Sequence, residues 1–230
     1  MKKLLSLIFM FSMVFAMSAQ DEVRNLKPYD KVKVSGGINL QLYNGNNEAH
    51  INVTKGDPED LKLEVKNGTL HIKFEKKSWS WNGGSQQASI KLYGAQNIEG
   101  VEASAGSNVH SDMTIHSDGF DVQASSGANV DLVVECMNLN GNASSGGNLS
   151  LEGSAKRVTL KGSSGGNVDA KKLEARMADA KASSGGAVKL WVTETFSASA
   201  GSGGLVKYKG NPETKNINVG KYSGGSVSAF

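Results

Sequence analysis

The sequence has little of what marks a disulfide-stapled, membrane-spanning or nucleic-acid-binding protein. It contains a single cysteine, Cys136, which cannot form a disulfide within the chain. Because Cys136 ends the apolar run Leu132–Cys136, we predict a buried small side chain rather than a reactive thiol. Beyond the first 19 residues there is no run of about 18 apolar residues, so the sequence predicts no transmembrane helix.

Neither sign of charge dominates the chain. Setting aside Lys2 and Lys3 of the N-terminal segment leaves 23 of the 25 basic residues against 22 acidic residues. A protein that binds nucleic acid by neutralising phosphates carries a basic stripe, and none is visible here. The sequence therefore predicts no nucleic-acid partner.

Aromatic residues and prolines are scarce, and helical spacing is almost absent. The aromatic fraction is 7%, with 3 prolines against 28 glycines, which favours many tight turns around a narrow interior. Residues 170–182 alone also fit a helix, but Ala178, Ala180 and Ala182 alternate as strand residues do. The composition thus favours an all-β fold.

The N-terminal segment is typical of a secretory signal peptide. Lys2 and Lys3 precede an apolar stretch at residues 4–17, and Ser18 and Ala19 supply the small residues of a cleavage site. We predict a signal peptide at residues 1–19, with an uncleaved anchor as the alternative, followed by a polar lead-in at residues 20–28. The mature chain is expected in the periplasm, on the outer surface or outside the cell.

Residues 29–100 carry short runs in which apolar and polar residues alternate, the pattern of strands. Tyr43–Asn46 and Asn67-Gly68 are turn signals, and the second predicts a hairpin. Residues 76–87 are irregular and predict a loop. The alternating runs are residues 31–34, 38–42, 50–53, 61–65 and 70–74.

From residue 101 onward a Ser/Gly turn followed by an apolar residue recurs every 18 to 21 residues. A coil of 20 residues at about 3.3 Å each gives a path of about 60 Å, enough for two or three short strands with tight corners. A β-propeller blade needs about forty residues, so the sequence predicts a right-handed parallel β-helix (β-solenoid). The closing apolar residues are Val109, Val130, Leu149, Val168, Val188, Val206 and Val227.

One column of the repeat holds four asparagines, immediately before the closing apolar residue. We expect these side-chain amides to hydrogen-bond to one another along the solenoid axis, with a ligand-contacting row as the alternative. The four are Asn108, Asn129, Asn148 and Asn167.

The motif Gly37-Ile38-Asn39 within residues 34–40, the hairpin at residues 67–72 and the serial Ser-Gly-Gly units together resemble the secreted head GIN domain family, a domain of unknown function linked to autotransporter adhesins. The resemblance covers residues 29–230 as one domain, with N-terminal strands at 29–100 and repeat coils at 101–230. It implies a β-helix similar to adhesin stalks and a place outside the cytoplasm. It brings no catalytic residues, and fold alone does not fix function.

Trp79 and Trp81 are the candidate ligand-binding residues. They alternate with serines in a glycine-rich stretch, so both rings can face one side and stack on sugar rings or on a partner protein. The alternative is that they cover an open edge of the solenoid.

Two acids raise an enzymatic alternative. Asp131 and Asp169 occupy the same repeat position two coils apart, about 9.6 Å at the strand spacing, near the separation of carboxylates in inverting glycosidases. His110 and His116 are read as solvated residues rather than metal ligands. The sequence predicts no metal and no cofactor.

Three hypotheses of function follow. The first is an exported, non-enzymatic, adhesin-like or envelope-associated protein that binds a glycan or a surface protein. The alternative is a polysaccharide-active enzyme, lyase or glycosidase-like, on the same scaffold. The third is a self-associating envelope component, because the chain ends at residues 227–230 without a capping helix and could stack end to end on a second molecule.

Overall fold

The computed structural model describes residues 22–75, 85–220 and 224–230, which form strands and one short 3-10 turn at Pro58–Asp60. The predicted signal peptide, Trp79 and Trp81 lie outside these residues. The strands are β1 (Glu22–Asn25), β2 (Lys31–Ser35), β3 (Ile38–Tyr43), β4 (Glu48–Lys55), β5 (Leu61–Lys66), β6 (Thr69–Phe74), β7 (Gln87–Tyr93), β8 (Gly100–Ser104), β9 (Asn108–Ala124), β10 (Asn129–Ala143), β11 (Asn148–Gly162), β12 (Asn167–Ala182), β13 (Ala187–Ala200), β14 (Leu205–Lys209), β15 (Thr214–Val219) and β16 (Ser226–Ala229).

The predicted fold class is confirmed, because the repeats form a β-solenoid of about seven turns of about 19 residues. Each strand from β9 to β13 pairs in parallel with its counterpart one coil away. The first half of β13 pairs with β14 and its second half with β15. Each long strand therefore contributes to two parallel sheets, which enclose the core between them. Residues 170–182 belong to β12, as their alternation predicts.

Alternation along each long strand fills this core and also marks where the strand bends. In β10 every second side chain from Val130 to Val134 is buried, the alternation breaks at residues 135–138, and it resumes at Leu139. Small and large residues meet across neighbouring coils, since Ala178 lies in register with the fully buried Phe196. This complementarity lets adjacent coils approach to the ordinary strand spacing.

The Ser/Gly corners are tight turns with left-handed backbone at two positions. In the third of them Ser145 has φ 48° and Gly146 has φ 74°, and the amide of Gly147 donates to the carbonyl of Ser144 at 2.8 Å. Two positive φ values in succession define a type I′ turn. The sequence predicts the glycine but not the left-handed serine before it.

The N-terminal strands begin the same coils but add antiparallel pairs. The predicted hairpin forms between β5 and β6, with positive φ at Asn67 and Gly68. β3 and β4 follow one another in sequence without pairing, because β7 lies between them, parallel to β3 and antiparallel to β4. The polar lead-in contributes β1, which pairs with β4 through backbone groups and leaves little side-chain pattern in the sequence.

The C-terminal coil, which ends the solenoid, exposes apolar side chains to solvent. β15 and β16 each pair with a single strand among the described residues. Ile217, Val219 and Phe230 are 43%, 38% and 54% exposed. Within the described ranges, no helix has the length and apolar character needed to cross a membrane.

Candidate functional site

The two sheets present two polar outer faces to solvent. We call the outer side of the first halves of β9–β13, together with β14, the front face, and the outer side of the second halves of β9–β13 the back face. One row of the front face consists of His110, Asp131, Ser150, Asp169, Lys189 and Lys207. The two rows of the back face are Asp121, Asn140, Thr159, Asp179 and Ser197, and Gln123, Asn142, Lys161, Lys181 and Ser199.

The predicted asparagine column lies at the edge of the front face, where each coil leaves its Ser/Gly corner. The amide nitrogen of Asn129 donates to the side-chain oxygen of Asn108 at 2.8 Å, and that of Asn148 donates to Asn129 at 3.0 Å. Asn167 stands in register with Asn148. The row extends one coil beyond the predicted set, because Asn108 donates to Asn39 at 2.7 Å. The asparagine of the Gly-Ile-Asn motif thus joins the amide row.

Asp131 and Asp169 lie on the front face two coils apart, with Ser150 in register between them. Each carboxylate has a basic neighbour of its own. Asp131 lies 3.4 Å from the Nδ1 of His110, and Asp169 lies 3.1 Å from the Nζ of Lys171. The geometry brings the two acids onto one surface but gives each a different basic neighbour.

A groove of about 320 Å³ opens on the front face beside Asp169, and a bulge in β12 forms it. Between the pairs Ala170 with Leu190 and Glu174 with Trp191, β12 carries three residues that have no partner on β13. Such a bulge redirects side chains out of the regular alternation. The groove is lined by Ser150, Leu151, Glu152, Asp169, Lys171, Lys172 and Lys209.

An ion pair joins two side chains in the wall of this groove. Lys172 donates to Glu152 at 2.6 Å, and that hydrogen bond, followed by the charge of Glu152, raises the pKa of the lysine. Both side chains are solvent-accessible, so the pair contributes little to stability. Its effect is to orient two charges along the groove.

Trp191 lies next to the groove and was missed by sequence reasoning. Its neighbours Leu190 and Val192 are buried, so the Trp191 ring lies on the front face, partly exposed. The ammonium group of Lys209 stands over the ring, 4.4 Å from its centroid. Period-two alternation was the signal that could have found it, since Leu190 and Val192 predict an outward ring between them.

The back face has smaller grooves, lined by polar and charged side chains. One of about 220 Å³ is lined by both rows from β9 to β11, and Asn140 donates there to Asp121 at 2.9 Å. A second groove, of about 140 Å³, lies beside Gly100, which leaves a gap in the row. Lys31 reaches across this gap to Asp121 at 3.5 Å.

Cys136 sits at the bend of β10, partly exposed and packed against the core. Burial raises the pKa of its thiol to about 11, so the group is protonated at neutral pH and a poor nucleophile. His116 lies nearby and pairs with Glu135 at 3.4 Å. Across the described ranges, no group of three or more His, Cys, Asp and Glu residues is placed to hold a metal ion.

Residues 28–212 match the family model described as "Putative auto-transporter adhesin, head GIN domain". No functionally curated protein matches the chain. Solved structures share the fold: a "putative adhesin" from Bacteroides fragilis superposes with a TM-score of 0.79 at 21% identity, covering 92% of this chain and 96% of that one. A "putative adhesin" from Parabacteroides distasonis gives 0.70 at 19% identity, again covering 92% and 96%.

A third structure, a "Putative lipid binding protein" from Parabacteroides distasonis, superposes with a TM-score of 0.59 at 19% identity, covering 91% of this chain and 96% of that one. These superpositions establish a shared fold. The family model spans most of the sequence, from the lead-in to β14, and includes the Gly-Ile-Asn motif and six of the seven Ser/Gly corners. The chain therefore belongs to the head GIN domain family, whose model carries the description "Putative auto-transporter adhesin".

Proposed function

We propose that this chain is an exported, non-enzymatic, adhesin-like protein of the cell envelope that binds glycans along its outer faces. The observation that carries the proposal is the continuous polar surface on both sides of the solenoid, with open grooves running across neighbouring coils. The adhesin description of the family and of two structural neighbours supports the same role. Export rests on the signal peptide predicted at residues 1–19.

The chemistry of the back face suits an extended sugar chain. Asn140 and Thr159 offer donors and acceptors on adjacent coils, about 4.8 Å apart along the axis, and Asn142 offers another pair about 6.6 Å from Asn140 along β10. Sugar hydroxyl groups both donate and accept hydrogen bonds, so such a surface can pair with several rings in succession. Small-molecule sites instead enclose most of the ligand in a concave pocket. The open grooves of this face fit a polymer better.

The test is binding of the mature chain, residues 20–230, to a glycan array. The same array is probed with Asn140→Ala/Thr159→Ala and with Trp79→Ala/Trp81→Ala. Saturable binding that the back-face variant weakens supports the proposal. Binding lost only in the tryptophan variant moves the site to residues 76–84, and no saturable binding to any glycan contradicts the proposal.

Polysaccharide cleavage is the second candidate, favoured by Asp131 and Asp169 on one face beside a groove. In such an enzyme one carboxyl group protonates the leaving oxygen while the other activates water. Release of new reducing ends from a polysaccharide bound in the array, abolished by Asp131→Asn and by Asp169→Asn, supports cleavage. Binding without released ends supports the adhesin-like role.

A further inference from the structure

Three lysines and a tryptophan form a compact square at the C-terminal end of the front face. Lys189 and Trp191 project from β13 on either side of the buried Leu190, and Lys207 and Lys209 project from β14 on either side of Tyr208. Lys189 stands in register with Lys207, and Trp191 with Lys209. Neighbours are therefore about 4.8 Å apart across the strands and about 6.6 Å apart along them.

The charges of this square are not neutralised within the described part of the chain. No carboxylate there lies within ion-pair distance of the ammonium groups of Lys189, Lys207 or Lys209. Asp169 is in register with Lys189 but pairs with Lys171 on the β12 bulge. Like charges directly opposite one another on a sheet are unfavourable. An arrangement that keeps them together is expected to serve a ligand of opposite charge.

The square also presents the aromatic surface of Trp191, and the groove described above adjoins it. The partly exposed Trp191 ring lies between the lysines, and the Lys209 ammonium group covers it at 4.4 Å. Lys209 lines the 320 Å³ groove as well, so groove and square form one surface. The groove adds the hydroxyl group of Ser150 as a donor, while its Lys171 and Lys172 are paired with Asp169 and Glu152.

We propose that this surface binds an acidic polysaccharide, with sugar carboxylates or sulfates between the lysines and one sugar ring against Trp191. The proposal rests on the glycan-binding function above and names its ligand class. A polyuronate carries one carboxylate on every ring, so a short stretch presents several to the square. The partly covered ring of Trp191 favours an aromatic contact with a sugar over insertion into a lipid bilayer, which would require exposed apolar side chains.

The chain has three tryptophans, so Trp79→Phe/Trp81→Phe leaves Trp191 as the only indole fluorophore. We would titrate this variant with oligogalacturonate and with its methyl ester, which has the same rings without the charge. We expect a saturable change in Trp191 emission with the acid, binding at least about tenfold weaker for the ester, and weakening by added salt.

Lys189→Gln/Lys207→Gln/Lys209→Gln is expected to weaken oligogalacturonate binding by at least about tenfold. The matched control, Lys27→Gln/Lys66→Gln/Lys156→Gln, removes the same charge from exposed lysines away from the square and from the grooves and is expected to leave binding within about twofold. Circular dichroism confirms that both variants are folded. Equal losses in the two variants, or equal affinity for acid and ester, overturn the proposal.

Two further results separate this proposal from the function it rests on. If neutral glycans bind the chain and oligogalacturonate does not, the acidic ligand class is wrong while glycan binding stands. If no glycan binds, both fail. Binding to phosphatidylglycerol vesicles without binding to oligogalacturonate also overturns the proposal, because it identifies a lipid headgroup as the anion.

Discussion

The two adjacent glycines of each corner are required for different physical reasons, and mutation separates them. Gly165 has φ 73°, and a side chain there would meet no neighbouring atom within 4 Å. Gly166 has ordinary backbone, but an added Cβ would overlap the carbonyl of Ala143 and lie 2.6 Å from the nitrogen of Ser144. Backbone conformation constrains the first glycine, and packing between coils constrains the second.

The first two corners of the repeat carry a side chain at the position that Gly166 occupies in its corner, so they show how the turn accommodates one. Where glycine stands there, the turn hydrogen bond is 2.8 Å, as at Gly166. It is 3.0 Å at Ala128 and 3.2 Å at Ser107, which are both fully buried. The turn hydrogen bond is thus longer at the two corners that carry a side chain at this position. Overpacking of this kind typically costs about 1 to 3 kcal/mol, the range we expect for Gly166→Ala.

The decisive pair is Gly165→Asn and Gly166→Asn, compared by thermal unfolding followed with circular dichroism. Asparagine tolerates left-handed backbone, so Gly165→Asn should cost less than about 1 kcal/mol. Gly166→Asn should cost at least as much as Gly166→Ala, because a larger side chain faces the same carbonyl. For a chain of this size, each kcal/mol of lost stability lowers the melting temperature by about 2 to 4 °C, so Gly166→Asn should melt at a lower temperature than Gly165→Asn. Equal losses, or a stable Gly166→Asn variant, would refute the two-cause explanation.

Three further outcomes are expected. Asn129→Ala removes two amide hydrogen bonds and should lower the free energy of unfolding by about 1 to 2 kcal/mol in urea titrations, whereas Asn138→Ala should leave it unchanged. The pKa of Cys136 is raised from 9.0 to about 11, so its contribution to stability is present below pH 9 and lost as the pH rises towards 11, and alkylation should accelerate over the same range. Ile217→Lys/Val219→Lys should abolish any concentration-dependent self-association seen by sedimentation, because it charges the exposed end of the solenoid.

Each of these three predictions would be contradicted by a specific result. If Asn129→Ala and Asn138→Ala behave alike, the amide row is a surface feature without a stabilising role. Rapid alkylation at neutral pH would contradict the protonated thiol. Self-association that survives charging of the C-terminal coil would place the contact on another surface.

Periodicity in the sequence predicted the features that depend on local chemistry. Alternation located the buried rows, and the Ser/Gly spacing predicted which residues stack, so Asn129 and Asn148 could be placed in register before any coordinates. The insertion of β7 between β3 and β4 could not be predicted, because alternation does not specify which strand is the partner. Partner choice depends on how the whole chain encloses its core.

The candidate site was less predictable than the fold. Asp131 and Asp169 fall on one face as their spacing predicts, but the bulge in β12 that follows Ala170 does not follow from that spacing. That bulge arises where coils of unequal length must share one ladder, a property of neighbouring coils rather than of any single repeat. Trp191 stands alone in the sequence, whereas Trp79 and Trp81, which lie outside the described residues, form the one closely spaced tryptophan pair.

Amide chemical-shift mapping can locate glycan binding on the outer faces of the solenoid residue by residue. The mature chain, labelled with nitrogen-15, is titrated with oligogalacturonate and followed by nuclear magnetic resonance. We expect saturable shifts grouped on β13, β14 and the bulge of β12. Shifts confined to residues 76–84, or no shifts from any glycan that the array retains, would contradict this expectation.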